Sequence, residues 1–280
     1  MQYCVIVALT MLFPDVDPAT ANPFLATLLP IVLSYMISVP IAWLILRKGG
    51  HQEQTPEKHK IPTGKLIVWF MAAFAASRIV LMITSLIIAA ATGEAGADPV
   101  SNLQMNSPWM MFIMMVVVAP VVEELVFRGF MYKALAPYGA KWYIIVSSLL
   151  FGLFHANLVQ IPFAFTMGLF FGYVMYRTGN VLIPMLLHFI VNLISGINML
   201  LITSELGSTI VLIVIFGLII AGTVIGIVLL AKKHFKEDIV FDPAVVTPAK
   251  ANQALINVGM ILCMVLLIGF TIMVGAESGI

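Results

Sequence analysis

The chain is predicted to be an all-α, polytopic integral membrane protein, with about eight transmembrane helices enclosing a polar cavity. Three observations carry that prediction. Of 280 residues, 61% are hydrophobic and only 10% charged, against about 25% charged in a soluble domain. Apolar runs close to the ~20 residues needed to cross a bilayer recur along the whole chain. Apart from Arg78 and Arg128, which lie inside such runs, every Lys and Arg falls in alternate loops, the pattern of cytoplasmic loops in a membrane protein.

The elements follow in order. Residues 1–18 begin with an apolar stretch, Met1 to Phe13, closed by Pro14-Asp15-Val16-Asp17-Pro18. It is too short to span and lacks the positive start of a signal peptide, so an interfacial segment is expected. Spans are expected at about 23–46, 66–91, 109–132, 142–158, 161–176, 181–202, 209–231 and 254–275, each scaled to the bilayer thickness. Arg47, Lys48, Lys58, Lys60 and Lys65 fall in the first loop, Lys133 and Lys141 in the third, and Arg177 in the fifth. Lys232, Lys233, Lys236 and Lys250 fall in the seventh, while the remaining loops hold Glu94, Asp98 and Glu205. Both termini are therefore expected outside and the odd-numbered loops in the cytoplasm. No loop could house a soluble domain, so residues 1–280 are read as a single membrane domain. No internal repeat is evident, which disfavours a transporter built from inverted halves. The net charge of +1 gives no reason to expect nucleic acid or an acidic partner. Cys4 and Cys263 stand far apart in apolar surroundings and suggest neither a disulfide framework nor a thiolate metal cluster.

The chemistry concentrates in a few residues that lipid would not tolerate: Arg78, Glu123, Glu124, Arg128, His155, His188 and Asn192. A carboxylate at the bilayer centre costs several kcal/mol on insertion scales, and an intramembrane ionisable group is a functional-site hypothesis by default. Glu124 and Arg128 are four residues apart, so they share a helix face and can pair. Glu123 points about 100° away, free to face something else. The plainer alternative is that both glutamates hold helices together by ion pairs. His155 alone reads as a hydrogen-bonded packing residue, and His188 and Asn192, one turn apart, as helix glue. Depth joins them. Counted from Lys133, Arg177 and Lys141, Glu123 lies about 15 Å deep, His188 about 16 Å and His155 about 21 Å. A carboxylate, two imidazoles and a carboxamide at one level make a catalytic inventory of base, orienting group and oxyanion donors. Arg78 is also deep and is expected to pair with Glu123 or Glu124. Gly168-Leu-Phe-Phe-Gly172 is a GxxxG, read as close backbone packing. Pro120 marks a kink that would suit either a substrate pocket or an ion site.

Glu123-Glu124-Leu-Val-Phe-Arg128, Phe151-Gly-Leu-Phe-His155 and His188-Phe-Ile-Val-Asn192, in that order, resemble the EExxxR, FxxxH and HxxxN motifs of the CAAX prenyl protease and bacteriocin-processing family of intramembrane glutamate endopeptidases. Each motif is short; the ordered set is specific. The resemblance is expected to cover about 66–231, leaving 254–275 as an extra C-terminal helix. It implies that Glu123 is the base that activates water, assisted by His155. It also implies that His188 and Asn192 form the oxyanion hole, that Glu124 and Arg128 support them, and that no metal or other cofactor is bound. The implied substrate is a peptide or membrane-anchored protein, an isoprenylated CaaX-type C-terminus being one candidate, met at the cytoplasmic side of a prokaryotic plasma membrane. Three other readings stay open: a non-catalytic scaffold or regulator of the same family, a zinc-dependent membrane protease using Glu and two His, and an ion-coupled transporter.

Overall fold

A computed structural model describes residues 58–93, 108–201, 205–231, 264–269 and 271–272. The described residues are helical, with no strand among them. Helix α1 is Thr63–Thr92. Helix α2 covers 108–135 in pieces: Pro108–Ile113, a π-helical Met114–Val118, Ala119–Glu124, a π-helical Leu125–Phe130 and Met131–Leu135. A 3₁₀ turn, Ala136–Tyr138, leads to α3, Ala140–Phe154. Helices α4, Gln160–Thr178, α5, Leu182–Leu201, and α6, Glu205–Ala231, complete the set. Glycines in the left-handed region close two of them, Gly93 (φ 76°) after α1 and Gly179 (φ 60°) after α4, as helix ends commonly require.

Six of the expected spans fall on these helices. Among the described residues, three stretches, Thr63–Thr92, Leu182–Leu201 and Glu205–Leu229, are long and apolar enough to cross a membrane by themselves. Helix α2 is interrupted, and α3 stops at fifteen residues, about 22 Å of rise, short of a ~30 Å hydrocarbon core. The expected 142–158 span is thus corrected: the helix ends at Phe154. The expectations for 1–18 and 23–46 lie outside the described residues, as does most of 254–275, of which 264–269 and 271–272 are helical.

Helix α4 is the centre of the assembly. Its Met167, Phe171 and Val174 pack with Phe70 and Phe74 of α1 and Leu187 and Val191 of α5. Its Met175 and Tyr176 join Tyr132, Tyr143 and Ile144, and its Ala164 joins Phe127, Leu150 and Phe151. The polarity is inverted relative to a soluble bundle. Leu212, Ile213, Ile220 and Ile227 of α6 and Leu86 and Ile87 of α1 are exposed, whereas Ser77, Glu124, Arg128, Ser147, Ser148 and His188 are buried. Apolar outside and polar inside is the arrangement lipid demands. Hydroxyls inside helices turn back onto their own backbone, as Thr84 does to Val80, Thr166 to Pro162 and Thr223 to Ile219, which hides them from lipid.

Helices α1 and α6 approach closely at Gly222, where an added Cβ would run into the Met71 carbonyl oxygen and come within 2.7 Å of the Ala75 Cβ. Gly217, one and a half turns earlier, has nothing within 4 Å. Gly222→Val is expected to lower stability by about 1–3 kcal/mol, and Gly217→Val to stay within about 0.5 kcal/mol of wild type. Thermal unfolding of the detergent-solubilised protein distinguishes them; equal melting temperatures would refute the α1–α6 contact.

Candidate active site

Glu124 lies at the end of the Ala119–Glu124 piece of α2 and is fully buried, as is Arg128. Arg128 Nη1 donates to Glu124 Oε1 at 3.0 Å, the pairing expected of residues four apart. From α5, His188 brings its Nδ1 to 2.9 Å from the same oxygen. Because Oε1 of an ionised Glu124 can only accept, Nδ1 of His188 carries the hydrogen. Nε2 then faces Glu123, whose Oε2 is 3.9 Å away. That gap exceeds a direct hydrogen bond and suits a bridging molecule. The two adjacent glutamates thus address opposite nitrogens of one imidazole, one fully buried and the other with a 12% exposed side chain.

His155 follows the last residue of α3 and is half-buried. Its Nδ1 lies 2.8 Å from the Phe151 carbonyl oxygen, which can only accept, so Nδ1 donates and Nε2 of the neutral ring is an acceptor. The helix stops here because Ala156 adopts φ 50°, a strained position for a residue with a Cβ, and Asn157 Oδ1 takes the backbone N–H groups of Val159 and Gln160, starting α4. Phe151 connects the two histidines: its ring stands edge-on to His155 at 5.0 Å and to His188 at 5.6 Å. Glu123 and His188 both lie within electrostatic reach of His155.

Asn192, one turn beyond His188, donates Nδ2 to the Met115 carbonyl at 2.7 Å. The reason is local to α2. Ala119 N–H reaches back to Met114, the i−5 register of a π-helix. In that register the partner of the Met115 carbonyl would be Pro120, which has no N–H. The orphaned carbonyl takes the Asn192 amide, and one N–H of that amide remains for other use. Arg78, expected to reach Glu123 or Glu124, donates Nη2 to Ser195 Oγ at 2.9 Å and lies 5.0 Å from the rings of both Phe74 and Phe163. Glu124 itself is taken up by Arg128 and His188. Among the described residues, no three His, Cys, Asp or Glu side chains are grouped as a metal ion would need.

Residues 105–194 match the family model described as type II CAAX prenyl endopeptidase, Rce1-like. This segment is Rce1-like. Every candidate site residue named above except Arg78 lies within the Rce1-like segment, on α2, the end of α3 and α5. Two curated relatives are similar over longer stretches. YdiL of Bacillus subtilis (strain 168), provisionally described as a membrane peptidase, is 25% identical over 201 residues, 69% of this chain and 82% of the relative. The membrane-embedded CAAX protease MroQ of Staphylococcus aureus (strain USA300) is 28% identical over 169 residues, 56% of this chain and 68% of the relative. No solved structure matches the chain. At the level of the family, the Rce1-like segment and these relatives indicate a membrane peptidase, and with the apolar helices they indicate an integral membrane location.

Contacts in this site not read from the sequence include the Asn192–Met115 bond, the His188–Glu124 bond, the Arg128 Nη2 bond to the Gly168 carbonyl at 3.2 Å, and the rings around Arg128. Pro120 signalled the first, since a proline inside a helix must release a carbonyl. Removing one member of the buried ion pair leaves the other charged and uncompensated, so Arg128→Met is expected to cost about 3–5 kcal/mol. Glu124→Gln combined with Arg128→Met should cost less than Arg128→Met alone. Thermal or denaturant unfolding checks both; strictly additive losses would argue against the pair.

Proposed function

We propose that the chain is an intramembrane endopeptidase that hydrolyses a peptide bond with a glutamate-activated water. The substrate is a peptide or membrane-anchored protein, with prenylated CaaX-type C-termini among the candidates. The observation that supports it most is the convergence of Glu123, Glu124 and His188, with His155 across one phenylalanine ring, inside an apolar bundle. Such an arrangement is costly in lipid and suits chemistry. The reading includes a bundle of about eight spans and a polar cavity reached from the cytoplasm.

The roles are those the family resemblance implies, and the hydrogen bonds suit them. A water between Glu123 and the acceptor Nε2 of His155 gives its proton to the Glu123 carboxylate as its oxygen bonds to the scissile carbonyl carbon. The carbonyl oxygen becomes an oxyanion and accepts from the spare N–H of Asn192 and from Nε2–H of His188. The His188 donation requires a hydrogen on both ring nitrogens, because Nδ1 is committed to Glu124. When the C–N bond breaks, Glu123 returns the proton to the leaving amine. Glu124 anchors Nδ1 of His188 and sets which nitrogen faces Glu123, and Arg128 holds Glu124, much as a buried carboxylate selects the tautomer of the histidine in a catalytic triad. The family implies no metal, and none is used in these steps.

The test is cleavage of prenylated and unmodified peptides by the purified protein, read by mass spectrometry. Glu123→Gln is expected to lower kcat by roughly 10²- to 10⁴-fold, and a chelator to leave the rate unchanged. Wild-type activity in Glu123→Gln would sink the base assignment; loss of activity with chelator, restored by zinc, would favour the metalloprotease reading.

A further inference from the structure

Helix α4 contributes no residue to the three motifs, yet it reaches the site twice. The Gly168 carbonyl accepts Arg128 Nη2. Three residues on, Phe171 stacks on His188, centroids 5.3 Å apart and planes inclined by 28°, and its ring centroid lies 5.5 Å from the Arg128 guanidinium carbon. Phe171 is 1% exposed. Phe151 lies 4.3 Å from the same guanidinium and stands edge-on to His188. Arg128 and His188 are therefore held by the same two rings as well as by the same carboxylate oxygen. The close approach depends on Gly168, three residues before Phe171. A Cβ there would sit 3.2 Å from Arg128 Nη2 and 3.0 Å from the Ser148 Cβ, whereas one on Gly172 would make only ordinary contact with Ile144, at 3.5 Å.

We infer that Phe171 is a positioning residue for His188, and that Gly168 permits the close packing of α4 that accompanies it. The inference rests on the peptidase reading. A hydrogen bond at Nδ1 fixes one atom of the imidazole but leaves the ring free to rotate about it. A ring stacked on the imidazole face removes that rotation and keeps Nε2 aimed at the space beside Glu123. The Arg128 guanidinium gains cation–π contacts from both Phe151 and Phe171. Small misplacements of a catalytic group can cost up to about 10²-fold in rate, so the loss should appear in turnover, not in substrate binding.

Two measurements on the full chain in nanodiscs test this. In wild-type protein with 13C-labelled histidine, the Cε1–H resonance of His188, assigned by its absence in His188→Gln, should be shifted upfield by the stacked ring. This is read without substrate, so it stands apart from the fate of the peptidase reading. An unshifted resonance overturns the inference. The second measurement compares Phe171→Leu with Phe70→Leu, a buried phenylalanine of the same cluster whose ring neighbours are Phe74 and Phe170. Both should lower the melting temperature. Phe171→Leu alone should lower kcat, by at least about tenfold, with KM within twofold, and Phe171→Tyr should restore most of it. Equal kcat in the two leucine variants, or a loss confined to KM, overturns the proposal.

Discussion

One carboxylate oxygen organises this protein. Oε1 of Glu124 accepts from Arg128 on its own helix and from His188 on α5. All three side chains are buried. An unpaired carboxylate at that depth would cost more than most single contacts can return. The fold can accept it only if α2 and α5 are held in one register, so the charge selects the geometry. As a consequence, His188 presents its far nitrogen to Glu123.

The helices that carry the site are also the irregular ones, and the irregularity has a use. Where a backbone leaves the α register, a carbonyl loses its N–H partner and must find another, since lipid offers none. Pro120 and the π-helical turn before it free the Met115 carbonyl, which takes Asn192. At the end of α3, the backbone N–H of His155 turns to Gly152, three residues back, so the Phe151 carbonyl is released from its i+4 partner and takes the imidazole of His155 itself. Two of the candidate side chains are thus fixed by carbonyls that regular helices would have hidden. Short π-helical segments are common at functional sites, and here the physical link is visible.

Much of this was legible in the sequence because it is local. Apolar runs gave the positions of α1, α5 and α6, and the spacing of Glu124 and Arg128 gave their pairing, since both depend on neighbours within one helix. Depth counting brought Glu123 and His188 to one level, because rise per residue hardly varies. What was not legible depends on how helices meet. The stack of Phe171 on His188 joins residues on two helices, and in sequence it is one phenylalanine among eighteen. Arg78 was expected at the glutamates on the ground that buried charges seek opposite charges. Its contacts include Phe74, Phe163 and Ser195, a set of partners on three helices that no count along one helix reveals. The end of α3 at Phe154 was missed because Ala156 gives no warning of a left-handed turn in the way a glycine would.

That turn also bears on how water reaches the site. Helix α3 ends after about 22 Å of rise, and Ala156 to Val159 cross to α4 without regular hydrogen bonding apart from the Asn157 cap. Non-helical backbone at membrane depth is tolerated where protein covers it or where it lines a wet cavity. Ala156 and Val159 are buried, yet Phe154 and Leu158 are exposed and His155 is only half-buried. The segment therefore has protein on one side and an open face on the other, with an imidazole at the boundary. The proposed hydrolytic site, inside an apolar bundle, would need such a boundary. The groups that hold Glu124 must be dry for their charges to grip one another, while those that handle water must not be. The division between a sealed Glu124–Arg128 pair and the more accessible Glu123 and His155 meets both needs within three helices.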